Sequence, residues 1–259
     1  PYGVGSLGKS ARDFVDFLRR AGQSWWQILP VGPAGNGDSP YQSVSTHAGN
    51  PAFLDLDLLA EEGLLTAEEL AAVPAGDGRT VDYPAVNAAR ERLLRLAFSR
   101  ADAHSRDEAA AFGRDRRWLA DYALYQAAKD HFGGLAWYDW PDEGLRRRQP
   151  EALERWGRTL ERETAYQTFV QYQFQKQWTA LRQYANGQGV KILGDLPIYV
   201  SLDSADVWAE REQFLLDGED CPAAVAGVPP DYFSADGQLW GNPLYDWDRM
   251  RADGFGWWI

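Results

Sequence analysis

The sequence predicts an α/β fold, the opening part of a parallel (β/α)8 TIM barrel interrupted by a large helical insertion, and three observations carry the prediction. Val190 to Leu193 is a short apolar run that ends in Gly194-Asp195-Leu196-Pro197, and a buried strand finishing on a carboxylate is how such a barrel presents chemistry at its C-terminal rim. Trp25 to Leu29 is a second buried strand candidate, running into the glycine- and proline-rich loop from Val31 to Tyr41. Between these two, apolar residues recur mostly with a helical period.

Each element follows from local chemistry. Ser10 is the expected cap of a first helix with Asp13 at the capping-box position; Ala11, Phe14, Val15, Leu18 and Ala21 form its stripe and Gly22 ends it. Trp25 to Leu29 is strand one and Phe53 to Leu56 strand two, after which Asp57 caps a helix beginning at Leu58. Thr66-Ala67-Glu68-Glu69 is a capping box whose helix ends at Pro74 and the Gly76 to Gly78 turn. Pro84 suits the first turn of a helix carrying Val86, Leu93, Leu94 and Ala97. A helix from Asp107 to His131 aligns Trp118, Leu119, Tyr122, Tyr125 and Ala128 and stops at Gly133-Gly134. An aromatic loop, Leu135 to Pro141, and a helix around Glu151 to Glu163 come next. The helix from Ala165 to Ala185 aligns Tyr166, Val170, Phe174, Trp178, Leu181 and Ala185 and returns the chain to strand three, Val190 to Leu193. Aromatic stripes at this spacing are packing surfaces.

Composition narrows the function. The chain of 259 residues is 45% apolar and 14% aromatic, enough for a core, and lacks the run of about 18 apolar residues that a membrane span needs. One cysteine, Cys221, fits a reducing compartment, and the expected location is the cytoplasm. A net charge of -12 argues against nucleic acid and anionic membranes as partners. His47, His104 and His131 are too scattered to predict a metal site, and no phosphate-binding loop or nucleophile elbow implies a cofactor or Ser-His-Asp chemistry. Gly3-Val4-Gly5-Ser6-Leu7-Gly8 has dinucleotide spacing but follows no strand. Asp130-His131-Phe132 sits at a helix C-terminus, where His131 complements the dipole.

The segment Asp231 to Pro243 reads as an irregular aromatic loop rich in amides and carboxylates. Aromatic faces stack on sugar rings while Asp, Asn and Gln read hydroxyls, so the mixture points to a carbohydrate cleft.

Six blocks, in order along the chain, carry a more specific signal: PYGVGSLG from Pro1, WWQILPVGP from Trp25, GDSPYQS from Gly37, AGNP from Ala48, GDLPIYVSLDSADVW from Gly194 and GVPPDYFSADGQLWGNPLYDW from Gly227. Together they closely resemble amylomaltase, the bacterial 4-alpha-glucanotransferase family, with plant disproportionating enzymes as relatives. The resemblance covers the N-terminal half of such an enzyme, and both ends read as cut. It implies transfer of α-1,4-glucan segments between maltooligosaccharides by a retaining double displacement, using two carboxylates about 5 Å apart. No cofactor is implied. The family's nucleophile lies in an Arg-x-Asp-His-Phe block, so the nucleophile and the acid/base Glu are expected beyond Ile259, no residue here is expected to be catalytic, and the chain alone is expected to be inactive.

Residue by residue, the resemblance implies that Tyr41 stacks on the sugar beside the scissile bond and Ser39 adds a polar contact. Asp195 binds hydroxyls or orients catalytic neighbours. Tyr232, Phe233, Gln238, Trp240 and Asn242 form a mobile loop over the donor and acceptor subsites. Asn36 stands where many bacterial members have Tyr, which puts an accessory glucan groove in doubt and leaves Tyr83 as its surviving half. The implied organisation is 1–60 for the start of the barrel, 61–164 for the helical insertion, and 165–259 for the return helix, strand three and a substrate-covering loop. Two alternatives stand beside this reading: a non-catalytic glucan-binding fragment, and an α-glucan hydrolase on the same scaffold.

Overall fold

A computed structural model describes residues 2–73 and 78–259 of the chain. Its regular elements in chain order are α1 (Lys9–Arg20), β1 (Trp25–Gln27), α2 (Leu56–Glu61), α3 (Ala67–Ala71), α4 (Tyr83–Arg100), α5 (Ala103–Arg114), α6 (Arg117–His131) and α7 (Glu143–Arg146). There follow α8 (Pro150–Thr159), α9 (Glu161–Gly187), β2 (Lys191–Leu193), α10 (Ala205–Ala209), β3 (Val225–Val228), β4 (Gln238–Pro243) and α11 (Trp247–Ala252). The chain divides into two compact units, the first comprising 1–31, 48–120 and 162–195, the second 32–47, 121–161 and 196–259.

The first unit holds the parallel pair. β1 and β2 lie side by side with Trp25 opposite Lys191 and Gln27 opposite Leu193, and the ladder extends through Lys191 N donating to Ser24 O and Ile28 N donating to Leu193 O. Strands one and three of the expected barrel therefore form where the apolar runs placed them. Strand two does not. Phe53 to Leu56 pairs with no strand: Phe53 closes a 3-10 turn at Pro51–Phe53 capped by Asn50, Leu54 and Asp55 are extended, and Leu56 begins α2.

Two buried glutamines of α9 explain the difference. Gln177 Oε1 accepts from Asp55 N at 2.7 Å while its Nε2 donates to Asp55 O at 3.1 Å, and Gln171 grips the N–H and C=O of Gly49 at 2.8 and 2.9 Å. Side-chain amides thus supply the hydrogen bonds that a strand neighbour would give, so the backbone needs no ladder. Asp55, not Asp57, is the cap of α2: its Oδ1 accepts from Leu58 N at 3.1 Å and its Oδ2 from Ser6 Oγ at 2.6 Å. Asp57 instead accepts from Tyr2 Oη.

α1 starts two residues earlier than the predicted cap at Ser10. Its N-cap is Gly8, with Ser10 inside the helix and no side-chain cap. A Cβ on Gly8 would lie 2.0 Å from Asp55 Oδ2, so the position nearest Asp55 excludes the Ser that capping alone would favour. Val15 and Leu18 reach the core while Phe14 stays exposed, and Gly22 ends the helix at φ 72° as expected.

The capping box at Thr66 forms in full; its predicted stop at Pro74 and Gly76 lies outside the described residues. Pro84 occupies the first turn of α4, whose Val86, Leu93, Leu94 and Ala97 are buried. The predicted single helix 107–131 is two, α5 and α6, parted at Asp115, which follows Gly113 and Arg114 and closes α5. Gly113 weakens the helix interior and Arg116 turns back to lie 3.9 Å from the Phe112 ring centre. α9 starts earlier than predicted, at Glu161, because Leu160 ends α8. The first-unit core collects Leu54, Leu56, Leu59, Leu93, Leu94, Tyr166, Phe169, Val170 and Leu181.

The second unit has an aromatic core. Tyr125, Trp140 and Trp208 pack with ring centres 5.6 to 6.1 Å apart. The indole N–H groups of three fully buried tryptophans each find a carbonyl: Trp137 reaches Leu202, Trp140 reaches Leu135 and Trp208 reaches Leu145. α6 ends as predicted at Gly133 and Gly134, both at positive φ, and His131 packs against Phe132 and Trp156. Among the described residues no helix is long and apolar enough to cross a membrane.

Candidate functional site

Seven of the eight predicted site residues lie in the second unit, on two elements. The first is the loop 33–44, which doubles back through Gly35 N donating to Gln42 O and Val44 N donating to Pro33 O. Gly37 and Asp38 both adopt positive φ at its tip, a conformation that Gly and Asp tolerate best. A tight turn follows in which Tyr41 N donates to Ser39 Oγ at 3.3 Å and Gln42 N to Ser39 O at 3.0 Å. Ser39 therefore shapes the turn that leaves Tyr41 45% exposed.

The second element, where the sequence predicts an irregular loop, is a β-hairpin. β3 and β4 pair antiparallel, with Val228 opposite Gln238 and a register shift before Val225 meets Pro243. Its tip is fastened by Asp231 Oδ1, which accepts from Phe233 N and Ser234 N at 2.9 and 2.8 Å, and by Ser234 Oγ donating to Gly237 O at 2.7 Å. Gly237 is required there: it sits at φ 75° and a Cβ would come 2.5 Å from Val228 O. The sequence concealed this hairpin because Pro229, Pro230 and two glycines break the period-two pattern.

The hairpin lifts apolar rings into solvent. Tyr232 is 96% and Phe233 89% exposed, set edge to face 5.5 Å apart. Trp240 is 39% exposed, its Nε1 donating to Gln238 Oε1 at 3.0 Å and its ring edge-on to Tyr199 at 6.2 Å. Asn242 is buried and bonded to Gln42 and to Val200 O. The eighth residue, Asp195, lies in the first unit, exposed two residues beyond the end of β2.

Sequence reasoning missed what supports these residues. Tyr199 stacks on Tyr245 with planes 9° apart, and Tyr245 packs in turn on Phe214, Trp257 and Trp258. Asp206, buried in α10, accepts from Thr46 N at 2.8 Å and Thr46 Oγ1 at 3.1 Å, fixing the chain just beyond Tyr41. Both lie inside the blocks quoted above, but neither position has a local signal. Among the described residues no cluster of three or more His, Cys, Asp or Glu could hold a metal ion.

Burial holds the Asp206 carboxyl above its ordinary value, against the opposing pull of the Thr46 N–H and of His47. A folded-state pKa above the unfolded one means that the native protein binds the proton more readily, so stability is greatest below the ordinary carboxylate range and falls as pH rises through the raised value. Asp206→Asn should remove that slope. Urea midpoints measured from pH 4 to 8 should show the wild type losing ground against the variant; parallel profiles would refute the assignment.

Comparison with known proteins shows what the chain as a whole is similar to. Residues 1–259 match the family model described as 4-alpha-glucanotransferase. A 4-alpha-glucanotransferase of Streptococcus pneumoniae is 47% identical over 261 residues, and one of Thermus thermophilus 49% identical over 264; each alignment covers 100% of this chain and 52% of the relative. The solved amylomaltase from Streptococcus agalactiae in complex with acarbose superimposes with a TM-score of 0.95 at 42% identity, covering 99% of this chain and 52% of that one. The chain spans about half the length of the curated relatives it matches.

Proposed function

Because the chain belongs to the 4-alpha-glucanotransferase family, we propose that it supplies the glucan-recognition part of an enzyme that transfers α-1,4-glucan segments between maltooligosaccharides by a retaining double displacement. The observation that carries this reading is the exposed Tyr232, Phe233 and Trp240 surface on a fastened hairpin, within a unit that also presents Tyr41. Solvated aromatic rings are costly to keep unless a ligand covers them, and flat rings flanked by amides suit pyranose stacking. The acarbose complex of a relative with the same fold supports an α-glucan as the ligand.

Chemistry requires more than recognition. A retaining mechanism needs two carboxylates about 5 Å apart, and the eight candidate positions offer one, Asp195. On the resemblance, which puts the nucleophile in an Arg-x-Asp-His-Phe block and the acid/base Glu later still, we place both outside residues 1–259. Trp25, Leu29 and Leu193 stay exposed in and beside the parallel pair, which supports further barrel strands covering them, with 61–164, whose regular elements among the described residues are helices, as an insertion. Covering aromatics would keep water from the covalent intermediate and favour transfer over hydrolysis.

The test is product analysis with maltotriose. The full-length protein should yield glucose together with chains longer than maltotriose, whereas residues 1–259 alone should give no turnover. Glucose and maltose without longer chains would replace transferase by hydrolase, and turnover by the isolated 1–259 chain would place the catalytic carboxylates within it.

A further inference from the structure

We propose that Asn242 and Gln42 are positioning residues that lock the Tyr41 loop to the Trp240 strand, a role distinct from contact with the sugar; the proposal rests on the glucan-binding reading above. The side-chain amides of the two residues bond reciprocally. Gln42 Nε2 donates to Asn242 Oδ1 at 3.2 Å, and Asn242 Nδ2 donates to Gln42 Oε1 at 3.1 Å. The second hydrogen of Asn242 Nδ2 goes to Val200 O at 2.8 Å.

An Asn amide has two N–H donors and one carbonyl oxygen, and all are engaged within the protein. With Asn242 only 3% exposed, no donor remains to read a hydroxyl. Gln42 is half-buried and holds its amide in the one orientation that matches its partner, since turning either amide over would set donor against donor and acceptor against acceptor.

What the pair connects gives it a function. Gln42 adjoins Tyr41, Asn242 lies two residues beyond Trp240, and Val200 adjoins Tyr199, which touches the Trp240 ring. One buried amide therefore fixes the relative placement of two exposed aromatic platforms. The chain beyond Gln42 is anchored separately, through Ser201 N to Ser43 O, Ala205 N to Val44 O and the Asp206 bonds to Thr46. The amide pair ties the loop to the Trp240 strand on its Tyr41 side. A glucan spanning both platforms would gain affinity from their being held in register before it binds.

Two measurements on the full-length protein test the proposal. Gln42→Ala, Asn242→Ala and the double variant are assayed by maltotriose disproportionation. Loss of one shared interaction predicts that each single substitution raises KM about tenfold with a smaller change in kcat, and that the double variant is no worse than either single one. Two independent sugar contacts would instead multiply to about a hundredfold, and an unchanged KM in Gln42→Ala would equally overturn the lock. If Asn242→Ala does not fold, Gln42→Glu, which sets a carboxylate oxygen against Asn242 Oδ1, should reproduce the tenfold rise. Hydrogen exchange of the Asn242 side-chain amide in the ligand-free protein gives an answer independent of activity: protected in the wild type and fast in Gln42→Ala if the pair exists, equal in both if it does not. A wild type that makes no longer chains from maltotriose would sink the transferase reading, and the exchange result would then decide the lock alone.

Discussion

Gln177→Ala should destabilise the first unit by about 3 kcal/mol, the largest effect expected of any single polar truncation there. The cost does not come from losing side-chain volume. Gln177 is almost fully buried on α9 and satisfies both the N–H and the C=O of Asp55, and each buried backbone group left without a partner costs about 1–3 kcal/mol. Asp55 sits at a junction: its carboxylate receives Ser6 Oγ and caps α2, and it abuts Gly8 at the start of α1. Loosening its backbone therefore disturbs two helix starts together. The measurement is a urea unfolding series on the full-length protein, combined with amide exchange at Asp55 to assign the loss to the first unit, since two compact units need not unfold as one. Gln177→Glu keeps the acceptor for Asp55 N but sets a carboxylate oxygen against Asp55 O in a buried site, so it should cost at least as much as Gln177→Ala. A loss below about 1 kcal/mol in Gln177→Ala would mean that water replaces the amide and that the glutamine grip is not what holds this segment out of a strand.

Gln177 also marks where the sequence stopped being readable. Helix caps and stops depend on a few neighbouring residues, so Thr66, Pro84, Gly22 and the Gly133-Gly134 pair could be read in isolation. The two apolar runs that pair as β1 and β2 were legible for the same reason. Phe53 to Leu56 has the composition of a buried strand, but the backbone of Asp55 is held by Gln177, and that of nearby Gly49 by Gln171, 122 residues further along the chain in each pairing. No local window contains that information. The start of α1 at Gly8 is a similar case, because the carboxylate that keeps a side chain off that position belongs to Asp55. The candidate site divides along the same line. Tyr41, Tyr232, Phe233 and Trp240 were legible as aromatics in polar loops, whereas Gln42, Tyr199 and Asp206 act through partners brought from distant parts of the chain.

Asp203→Ala should cost the second unit about 3–5 kcal/mol, the range expected when one partner of a largely buried ion pair is removed. Asp203 accepts from Tyr125 Oη at 2.7 Å, from Lys129 Nζ and from Trp137 N at 3.2 Å. The side chains of Asp203 and Lys129 are each only 23% exposed, so screening by solvent weakens the pair less than at the surface. The cluster joins α6, the 3-10 turn at Trp137 and the segment that follows Tyr199 and Val200. Burial, followed by the Asp203 charge and hydrogen bond, pushes the Tyr125 hydroxyl well above its usual pKa, so this phenol stays protonated and continues to donate. Without Asp203, Tyr125 and Lys129 keep their donors in a poorly hydrated environment and the backbone of Trp137 loses its acceptor. Asp203→Asn retains an acceptor but not the charge, and should fall between the wild type and Asp203→Ala. Because Leu202 also receives the Trp137 indole N–H, the damage should spread to the Trp137, Trp140 and Trp208 packing, which near-UV circular dichroism reports directly. The expected result is a lowered urea midpoint accompanied by a weakened aromatic signal before unfolding. An unchanged aromatic signal with a loss below about 1 kcal/mol would show that Lys129 finds water in place of Asp203, and that the aromatic core holds the segment beyond Tyr199 without its ion pair.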